Sequence, residues 1–182
     1  PNLLDPKSGK NQKLIEVDHP ILDNLDIEKI RNIDKFTSNK LRSVTLSICY
    51  NKKENPNLEI EKFLQSICIE AERVINNNTC NIIILSDREV DKNNIAIPAL
   101  LATSSVHHHL IKKGLRTKVG LIIETGEARR VHDLCLLAGY GAEAINPYLA
   151  FYTLSNIIKN HKKEIEEKEA YTKYIKAVTK GM

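Results

Sequence analysis

Four segments of the chain carry the hydrophobic patterns of β-strands. Residues 43–50 alternate apolar Val44, Leu46 and Ile48 with small polar side chains, which is the period of two expected of a strand. The other three segments are short apolar runs with little alternation, a pattern typical of parallel strands that are buried on both faces. These runs are residues 82–85, 119–123 and 142–146.

Helical patterns separate and follow these strands. A 3.6-residue apolar period begins after Asn55 and Pro56, which are good helix-start residues, and ends at the asparagine run 76–78. A second helix is expected to end at Lys112 and Lys113, with Gly114 as its C-cap. The predicted helices are residues 55–75, 95–113, 127–138 and 147 onward, the last continuing through the charged segment 161–170 to the C-terminus.

The first forty residues have a weaker pattern. Residues 1–19 are polar and show no helical period, so they are expected to form an extended arm on another surface. Asn24 or Asp26 is then predicted to cap a short helix. The apolar residues of that helix would share one face; they are Ile27, Ile30 and Ile33.

The alternation of strands and helices predicts an α/β fold with a parallel sheet and right-handed crossovers. Four such units are half of an eight-stranded barrel. A half-barrel leaves sheet edges open, so the chain is either a small open sheet or a partial (β/α) barrel-like sheet that other sequence completes. We favour completion by other sequence.

Composition and charge exclude several classes of protein. The 27 Lys and Arg are interleaved with 23 Asp and Glu, and this describes a solvated surface better than the basic stripe of a nucleic-acid-binding protein. No stretch approaches the roughly 20 apolar residues of a membrane span, and residues 1–10 lack the apolar core of a signal peptide. The expected location is the cytoplasm, or an organelle interior such as the plastid stroma.

The cysteines argue against a metal cluster. Cys49, Cys68, Cys80 and Cys135 are far apart and form no CxxC pair, so neither a zinc knuckle nor an iron–sulfur site is encoded here. They are expected to be buried, reduced thiols.

Polar residues follow the predicted strands, where parallel α/β folds bind ligands. Asp87 beside Arg88 could bind a ligand, but a turn with a local ion pair is the stronger interpretation. Glu124 could act as a base or ligand at a strand end. Residues 125–127 are better explained as a helix start, where the Glu127 carboxylate offsets the helix dipole. Polar residues 146–148 follow the fourth strand.

Histidines and glycines also have structural explanations. Three consecutive histidines, residues 107–109, point in different directions on a helix and cannot form one ligand set. His132 is expected to be structural. Gly139 and Gly141 follow a helix and precede a strand, the reverse of a phosphate-binding loop, so they are predicted to be a C-cap and a tight turn.

Three long segments resemble the large (α) subunit of glutamate synthase. They are NIIILSDR, IAIPALLATSSVHHHLIKKGLRTKVGLIIETGEARRVHDLCLLAGYGAEAINPYLAF and YIKAVTKGM, and the opening PNLLDP with HPIL is similar as well. The similarity is to the central domain, between a glutamine amidotransferase domain and an FMN-binding synthase barrel. It is weakest in residues 50–60 and 159–170.

The resemblance implies a function for the whole family enzyme. It forms two glutamates from glutamine and 2-oxoglutarate, with ammonia passing through an internal tunnel. FMN and an iron–sulfur cluster carry electrons from NADPH, through a small second subunit, or from ferredoxin. The central domain joins the catalytic domains, its partners in the same chain, and helps to shape the ammonia path.

For this chain the resemblance implies a fragment that is inactive alone, with no catalytic, cofactor-binding or metal-binding residues. It divides the chain into an arm and short helix (1–40), an α/β core (41–160) and a charged helical linker (161–182). Two alternatives remain open. One is a free-standing α/β enzyme that uses Asp87, Glu124 and His132, and the other is an interaction module that docks through its sheet edges.

Overall fold

The computed structural model describes residues 15–51, 60–161 and 165–182. Its strands are β1 (Ser43–Ser47), β2 (Cys49–Asn51), β3 (Ile82–Ser86), β4 (Asn94–Ala96), β5 (Gly120–Glu124) and β6 (Ala144–Asn146). Strands β1, β3, β5 and β6 form a parallel sheet in that order, and β2 pairs with β4 in a separate antiparallel ribbon.

The helices follow the predicted alternation. They are α1 (Asn24–Arg31), α2 (Ile33–Phe36), α3 (Ile60–Asn76), α4 (Ala99–Lys112), α5 (Val131–Gly139), α6 (Tyr148–His161) and α7 (Glu167–Gly181). The predicted start of α3 at Asn55 and Pro56 lies outside the described residues. None of the described helices is long and apolar enough to cross a lipid bilayer.

The two faces of the sheet pack against different helices. Successive side chains of a strand point to opposite faces, and on β3 Ile83 and Leu85 pack in the core that contains α3, α4 and α5. Ile82 and Ile84 pack with α1 on the other face. Strand order follows chain order, so right-handed crossovers place α3, α4 and α5 on one side. This one-directional winding is half of a barrel-like arrangement and confirms the predicted fold class.

Helix α1 begins at a different cap from the one predicted. The Asp23 carboxylate accepts hydrogen bonds from the backbone N–H groups of Leu25 and Asp26, each at 2.8 Å. Asp26 accepts in return from the Asp23 N–H, which completes a capping box. The cap is therefore Asp23, and the prediction of Asn24 or Asp26 is wrong. Ile27 and Ile30 are buried on one face of α1 as predicted, whereas Ile33 begins α2 and is only half-buried, so its predicted place on that face is wrong.

The predicted first strand is two strands in the structure. Ile48 lies between them and is fully buried. Its N–H donates to the Ser86 carbonyl and its carbonyl accepts from the Ile97 N–H, both at 2.9 Å, so the backbone leaves the sheet without losing hydrogen bonds. Residues 94–96 complete the ribbon as β4. The prediction that residue 95 opens the second helix is therefore wrong.

Two further helix boundaries differ from the prediction. Helix α5 begins at Val131, not at Glu127, and Gly139 is its last residue instead of its cap. Near the C-terminus, α6 ends at His161 and α7 begins at Glu167, so the continuous helix predicted through residues 161–170 is wrong.

Helix α7 packs against α6 through aromatic side chains. The Phe151 ring centroid lies 4.8 Å from that of Tyr171 and 5.5 Å from that of Tyr174. Tyr174 also donates a hydrogen bond to the Arg129 carbonyl at 3.0 Å. The C-terminal helix therefore belongs to the same packed core as the sheet.

Glycines at two turns adopt backbone conformations that other residues avoid. Gly114 has a φ of +66° and follows Lys113, the C-cap of α4, so the glycine lies one residue beyond the predicted cap position, where left-handed glycines commonly end helices. Gly141, in the turn before β6, has a φ of +113°. A Cβ added to Gly141 would lie 2.1 Å from Nδ1 of His107. Position 141 therefore requires glycine for two independent reasons.

We expect Gly141→Ala to destabilise the chain by about 2–4 kcal/mol, because it strains the backbone and displaces His107 from its hydrogen bond with Arg116. Gly139→Ala is the matched control, since no atom lies within 4 Å of its added Cβ and alanine is a better helix former. Urea unfolding followed by far-UV circular dichroism measures both. Equal stabilities of the two variants would contradict the expected backbone strain and steric clash at position 141.

Candidate functional site

Three buried polar side chains lie side by side at the carboxyl edge of the sheet. Strand register places Ser86 opposite Glu124 and Glu124 opposite Asn146. Glu124 and Asn146 are fully buried and Ser86 is nearly so. This is the edge where parallel α/β folds bind ligands, so it is the candidate site.

The Glu124 carboxylate is fully occupied as a hydrogen-bond acceptor. Arg31 donates to both of its oxygens at 2.9 Å, Arg88 Nε donates to Oε1 at 2.7 Å, and Ser86 Oγ donates to Oε2 at 2.5 Å. An ionised carboxylate has about four lone-pair positions, and these four hydrogen bonds use them. Glu124 therefore has no acceptor position left for a substrate proton.

The charge state of Glu124 follows from these contacts. Burial acts to raise the pKa of Glu124, but the hydrogen bonds from Ser86, Arg31 and Arg88 and the charge of Arg31 outweigh it and lower the pKa below its usual range. Burial acts to lower the pKa of each arginine. The bonds to Glu124 outweigh burial for Arg31, and the bonds to Tyr152 and then to Glu124 outweigh it for Arg88. The carboxylate stays ionised at neutral pH, which suits an ion-pair anchor and not a general base.

Arg88 extends the network to α6. Its guanidinium lies 4.6 Å from the ring centroid of Tyr148 and 5.6 Å from that of Tyr152. Nη1 also donates to the Tyr152 hydroxyl at 3.0 Å. On the opposite side, Arg31 Nη1 donates to Thr45 Oγ1 on β1 at 2.5 Å. The network thus connects α1, three strands of the sheet and α6.

Asp87 forms a second network beside the first. Its carboxylate accepts from Thr125 Oγ1 at 2.5 Å and from the Gly126 N–H at 3.0 Å, and it is almost fully buried. Burial, and next the charge of Asp87, raise the pKa of the nearby Tyr148 hydroxyl. The local ion pair predicted between Asp87 and Arg88 is wrong, because Arg88 turns to Glu124.

Glu127 has a different partner from the predicted one. Since α5 starts at Val131, the Glu127 carboxylate is not in its first turn. Instead Oε2 accepts the N–H of Ala99 at 2.8 Å, the first residue of α4. Glu127 therefore caps α4 from another segment of the chain.

The histidines do not converge. Arg116 Nε donates to His107 Nδ1 at 3.0 Å, His109 Nε2 lies 2.9 Å from a Glu72 oxygen, and His108 Nδ1 lies 2.9 Å from the Ser104 carbonyl. His132 is exposed on α5. Across residues 15–51, 60–161 and 165–182, no three His, Cys, Asp or Glu side chains lie together in a way that could hold a metal ion.

The four cysteines are free thiols that differ in burial. Cys68 and Cys80 are buried as predicted, whereas Cys49 and Cys135 are half-exposed, so the prediction of burial is wrong for those two. Burial raises the pKa of the Cys80 thiol to about 11, so this thiol is protonated at neutral pH.

Sequence reasoning missed Arg31 and Thr45. Arg31 lies 93 residues before Glu124 in the chain, and it is one of several charged residues on a short helix with no local signal of its role. Glu124, Arg88 and Asp87 were found because each follows a buried strand.

The whole chain, residues 1–182, matches the family model of the glutamate synthase central domain. The chain belongs to this family. The large chain of NADPH glutamate synthase from Bacillus subtilis (strain 168) is 38% identical over 181 residues, covering 100% of this chain and 11% of the relative. NADH glutamate synthase from Schizosaccharomyces pombe is 31% identical, covering 100% of this chain and 8% of the relative.

A third glutamate synthase, the ferredoxin-dependent form from Pyropia yezoensis, is 33% identical, covering 100% of this chain and 12% of the relative. The central domain therefore occurs in glutamate synthases of the NADPH, NADH and ferredoxin types. The chain spans about a tenth of the length of these relatives.

Solved structures support the fold of this central domain. A flavocytochrome b2 mutant with benzoylformate matches with a TM-score of 0.54 at 12% identity, covering 85% of this chain and 45% of that chain. A second flavocytochrome b2 mutant, with sulfite bound, matches with a TM-score of 0.53 at 13% identity, covering 84% of this chain and 44% of that chain. The likeness concerns the fold, and these neighbours are α/β barrel proteins.

We expect Glu124→Gln to lower the free energy of unfolding by about 3 kcal/mol at pH 7, because it leaves two guanidinium groups without their shared anion. The folded pKa of Glu124 lies below the unfolded value of about 4.3, so its stabilisation is present above that value and is lost as pH falls through the folded pKa. The difference in the free energy of unfolding between wild type and variant should therefore become smaller at acidic pH.

Urea unfolding of both proteins at several pH values measures this difference. Glu70→Gln is the matched control, because Glu70 forms an exposed ion pair with Arg73 on α3 that should contribute at most about 0.5 kcal/mol. If the two substitutions lower the free energy of unfolding by the same amount, Glu124 is not the anchor described above.

Proposed function

We propose that this chain is the non-catalytic central domain of a glutamate synthase, an oxidoreductase that forms two glutamates from glutamine and 2-oxoglutarate with a reductant. The observation that carries the proposal is the family match over residues 1–182, combined with relatives of which the chain covers about a tenth. The chemistry then belongs to the catalytic domains of the full-length enzyme, and this domain connects them.

The geometry of the strand ends supports a connecting role. All four acceptor positions of Glu124 are used by protein donors, and Asp87 is used by Thr125 and Gly126. Both carboxylates are buried, so neither is presented to a substrate. These side chains position backbone segments instead.

Both ends of the domain are attached to one core. Arg31 holds the end of α1 to β5 through Glu124, and α7 packs on Phe151 of α6. An element near each end of the chain is thus fixed relative to the same sheet. This would keep the neighbouring catalytic domains at a constant separation and give the ammonia path a rigid wall. The division into residues 1–40, 41–160 and 161–182 stays a prediction.

The cofactors of the proposed enzyme would bind outside this domain. An iron–sulfur cluster needs convergent thiolates, and the described residues hold no convergent ligand set. An FMN site at the strand ends would have to displace the buried network around Glu124. FMN would supply hydride transfer elsewhere in the full-length chain, and NADPH with a small subunit, or ferredoxin, would supply its electrons.

One relative bears on the place of the full-length enzyme in the cell. This relative, from Oryza sativa subsp. japonica, is named as a chloroplastic ferredoxin-dependent glutamate synthase and is 29% identical. We place the enzyme in the cytoplasm, or in the stroma where a plastid is present.

The first test compares the full-length polypeptide with the 182-residue chain. Purified full-length enzyme, given glutamine, 2-oxoglutarate and reduced donor, should produce glutamate, and the isolated chain should produce none above the background without protein. Glutamate is measured by mass spectrometry. Production by the isolated chain at the full-length rate would establish a free-standing enzyme instead.

The second test addresses two of the three candidate catalytic residues, His132 and Asp87, within the full-length enzyme. His132→Gln should leave kcat within about twofold of wild type, since an exposed side chain on α5 touches no reacting atom. Asp87→Asn keeps an acceptor for the Gly126 N–H, so its effect should be on thermal stability more than on kcat. A loss of more than about 100-fold in kcat, with stability unchanged, would make either residue catalytic.

A further inference from the structure

The residues that the structure describes cover only about half of the sheet face that packs with α1. Both ends of α1 are anchored at the carboxyl ends of strands: Asn24 contacts Asn146 at 3.1 Å, and Arg31 holds Glu124. The helix therefore crosses the half of this face that lies nearest the carboxyl ends of the strands. The amino-terminal halves of β3, β5 and β6 lie beyond the helix and border a groove.

This groove has a volume of about 730 Å³. It is open along one side and does not enclose its contents as a typical small-molecule pocket would. Its apolar lining comes from α1, the strands and the segments beside them: Leu22, Ile30, Leu41, Ile82, Ile122 and Ala144. In a complete barrel, side chains fill this position, because a barrel interior is a packed core.

The rim of the groove has an excess of positive charge. Arg116 is neutralised by Glu143, whose Oε1 lies 2.8 Å from Nη2. Burial, and next the charge of Arg116, lower the pKa of His107, so this lining residue is neutral at pH 7. Lys40 and Lys118 remain, and in the described part of the chain neither has a carboxylate oxygen within 4.0 Å.

Acidic residues of the described chain do not neutralise Lys40 or Lys118. Glu16 and Asp18 are exposed on either side of Val17, which borders the groove, but neither lines it. The groove thus combines an apolar floor with two unpaired cations. This combination fits a polypeptide segment that carries apolar side chains and at least one carboxylate.

We propose that this groove is the docking site for a segment of the full-length glutamate synthase chain outside residues 1–182. The chain covers only 8–12% of the length of the three glutamate synthase relatives, so most of the full-length polypeptide is available to supply the segment. The inference rests on the proposed function, since it needs a longer polypeptide. It adds that the amino edge of the sheet, and not the carboxyl edge, receives a neighbouring domain.

Amine labelling tests whether the groove is covered. The full-length enzyme and the isolated 182-residue chain are treated with sulfo-N-hydroxysuccinimide acetate, and labelling of each lysine is followed by mass spectrometry. If the segment is docked about 90% of the time, Lys40 and Lys118 should label roughly tenfold more slowly in the full-length enzyme than in the isolated chain. The exposed Lys112, on α4 away from the groove, is the reference. Equal rates in both proteins would overturn the proposal.

Carbodiimide coupling identifies the occupant. It should join Lys40 or Lys118 to an aspartate or glutamate outside residues 1–182 of the same polypeptide. Coupling to an acidic residue within 1–182, or to a second polypeptide, would overturn the proposal. So would slow labelling that persists in the isolated chain, because the groove would then be covered without any segment from outside residues 1–182.

A charge reversal at the rim provides the matched variant. In full-length Lys40→Glu, Lys118 should label faster and approach its rate in the isolated chain, whereas Lys112→Glu should leave the Lys118 rate unchanged. Both positions are exposed, so neither change should affect folding. An unchanged Lys118 rate in Lys40→Glu would contradict electrostatic docking. If the wild-type full-length protein labels as expected but produces no glutamate, the result counts against the proposed function and not against docking.

Discussion

The buried carboxylate of Glu124 is the interaction on which the arrangement of this domain depends. It binds two guanidinium groups and one hydroxyl, and through them it joins α1, β1, β3 and α6 to the end of β5. A carboxylate costs several kcal/mol to bury unless its partners are complete, so the whole set is required together. Removing Glu124 would leave two guanidinium groups without their shared anion, and removing Arg31 would release that end of α1 from the sheet.

That position explains how a half-barrel can exist as a folded domain. Four parallel strands wound in one direction bury one face under α3, α4 and α5 and leave the other face apolar. Helix α1 covers the part of that second face near the carboxyl ends of the strands with Ile27 and Ile30, where further strands would lie in a complete barrel. The part near the amino ends remains a groove, and the lysines at its rim suit the acidic, apolar segment proposed to occupy it.

The strand-end carboxylates of Glu124 and Asp87 are occupied by protein donors, whereas the buried Oδ1 of Asn146 accepts no hydrogen bond in the described part of the chain. The carboxyl edge, where barrel enzymes place their catalytic groups, is occupied here by hydrogen bonds that tie backbone segments together. The same fold can therefore hold a catalytic site in one protein and a structural network in another, and only the contacts of the individual side chains separate the two cases.

The sequence by itself determined the four strands of the parallel sheet, the helix alternation, the parallel barrel-like class and the family, because hydrophobic periodicity and long motifs are local properties. It also located Glu124, Asp87 and Arg88, since each follows a buried strand. Only the tertiary structure decided their roles. Arg31 reaches Glu124 across 93 residues, Glu127 caps α4 instead of α5, and residues 94–96 pair with β2 as a strand. These choices depend on partners distant in sequence, and local periodicity contains no information about which distant donor a buried carboxylate will meet.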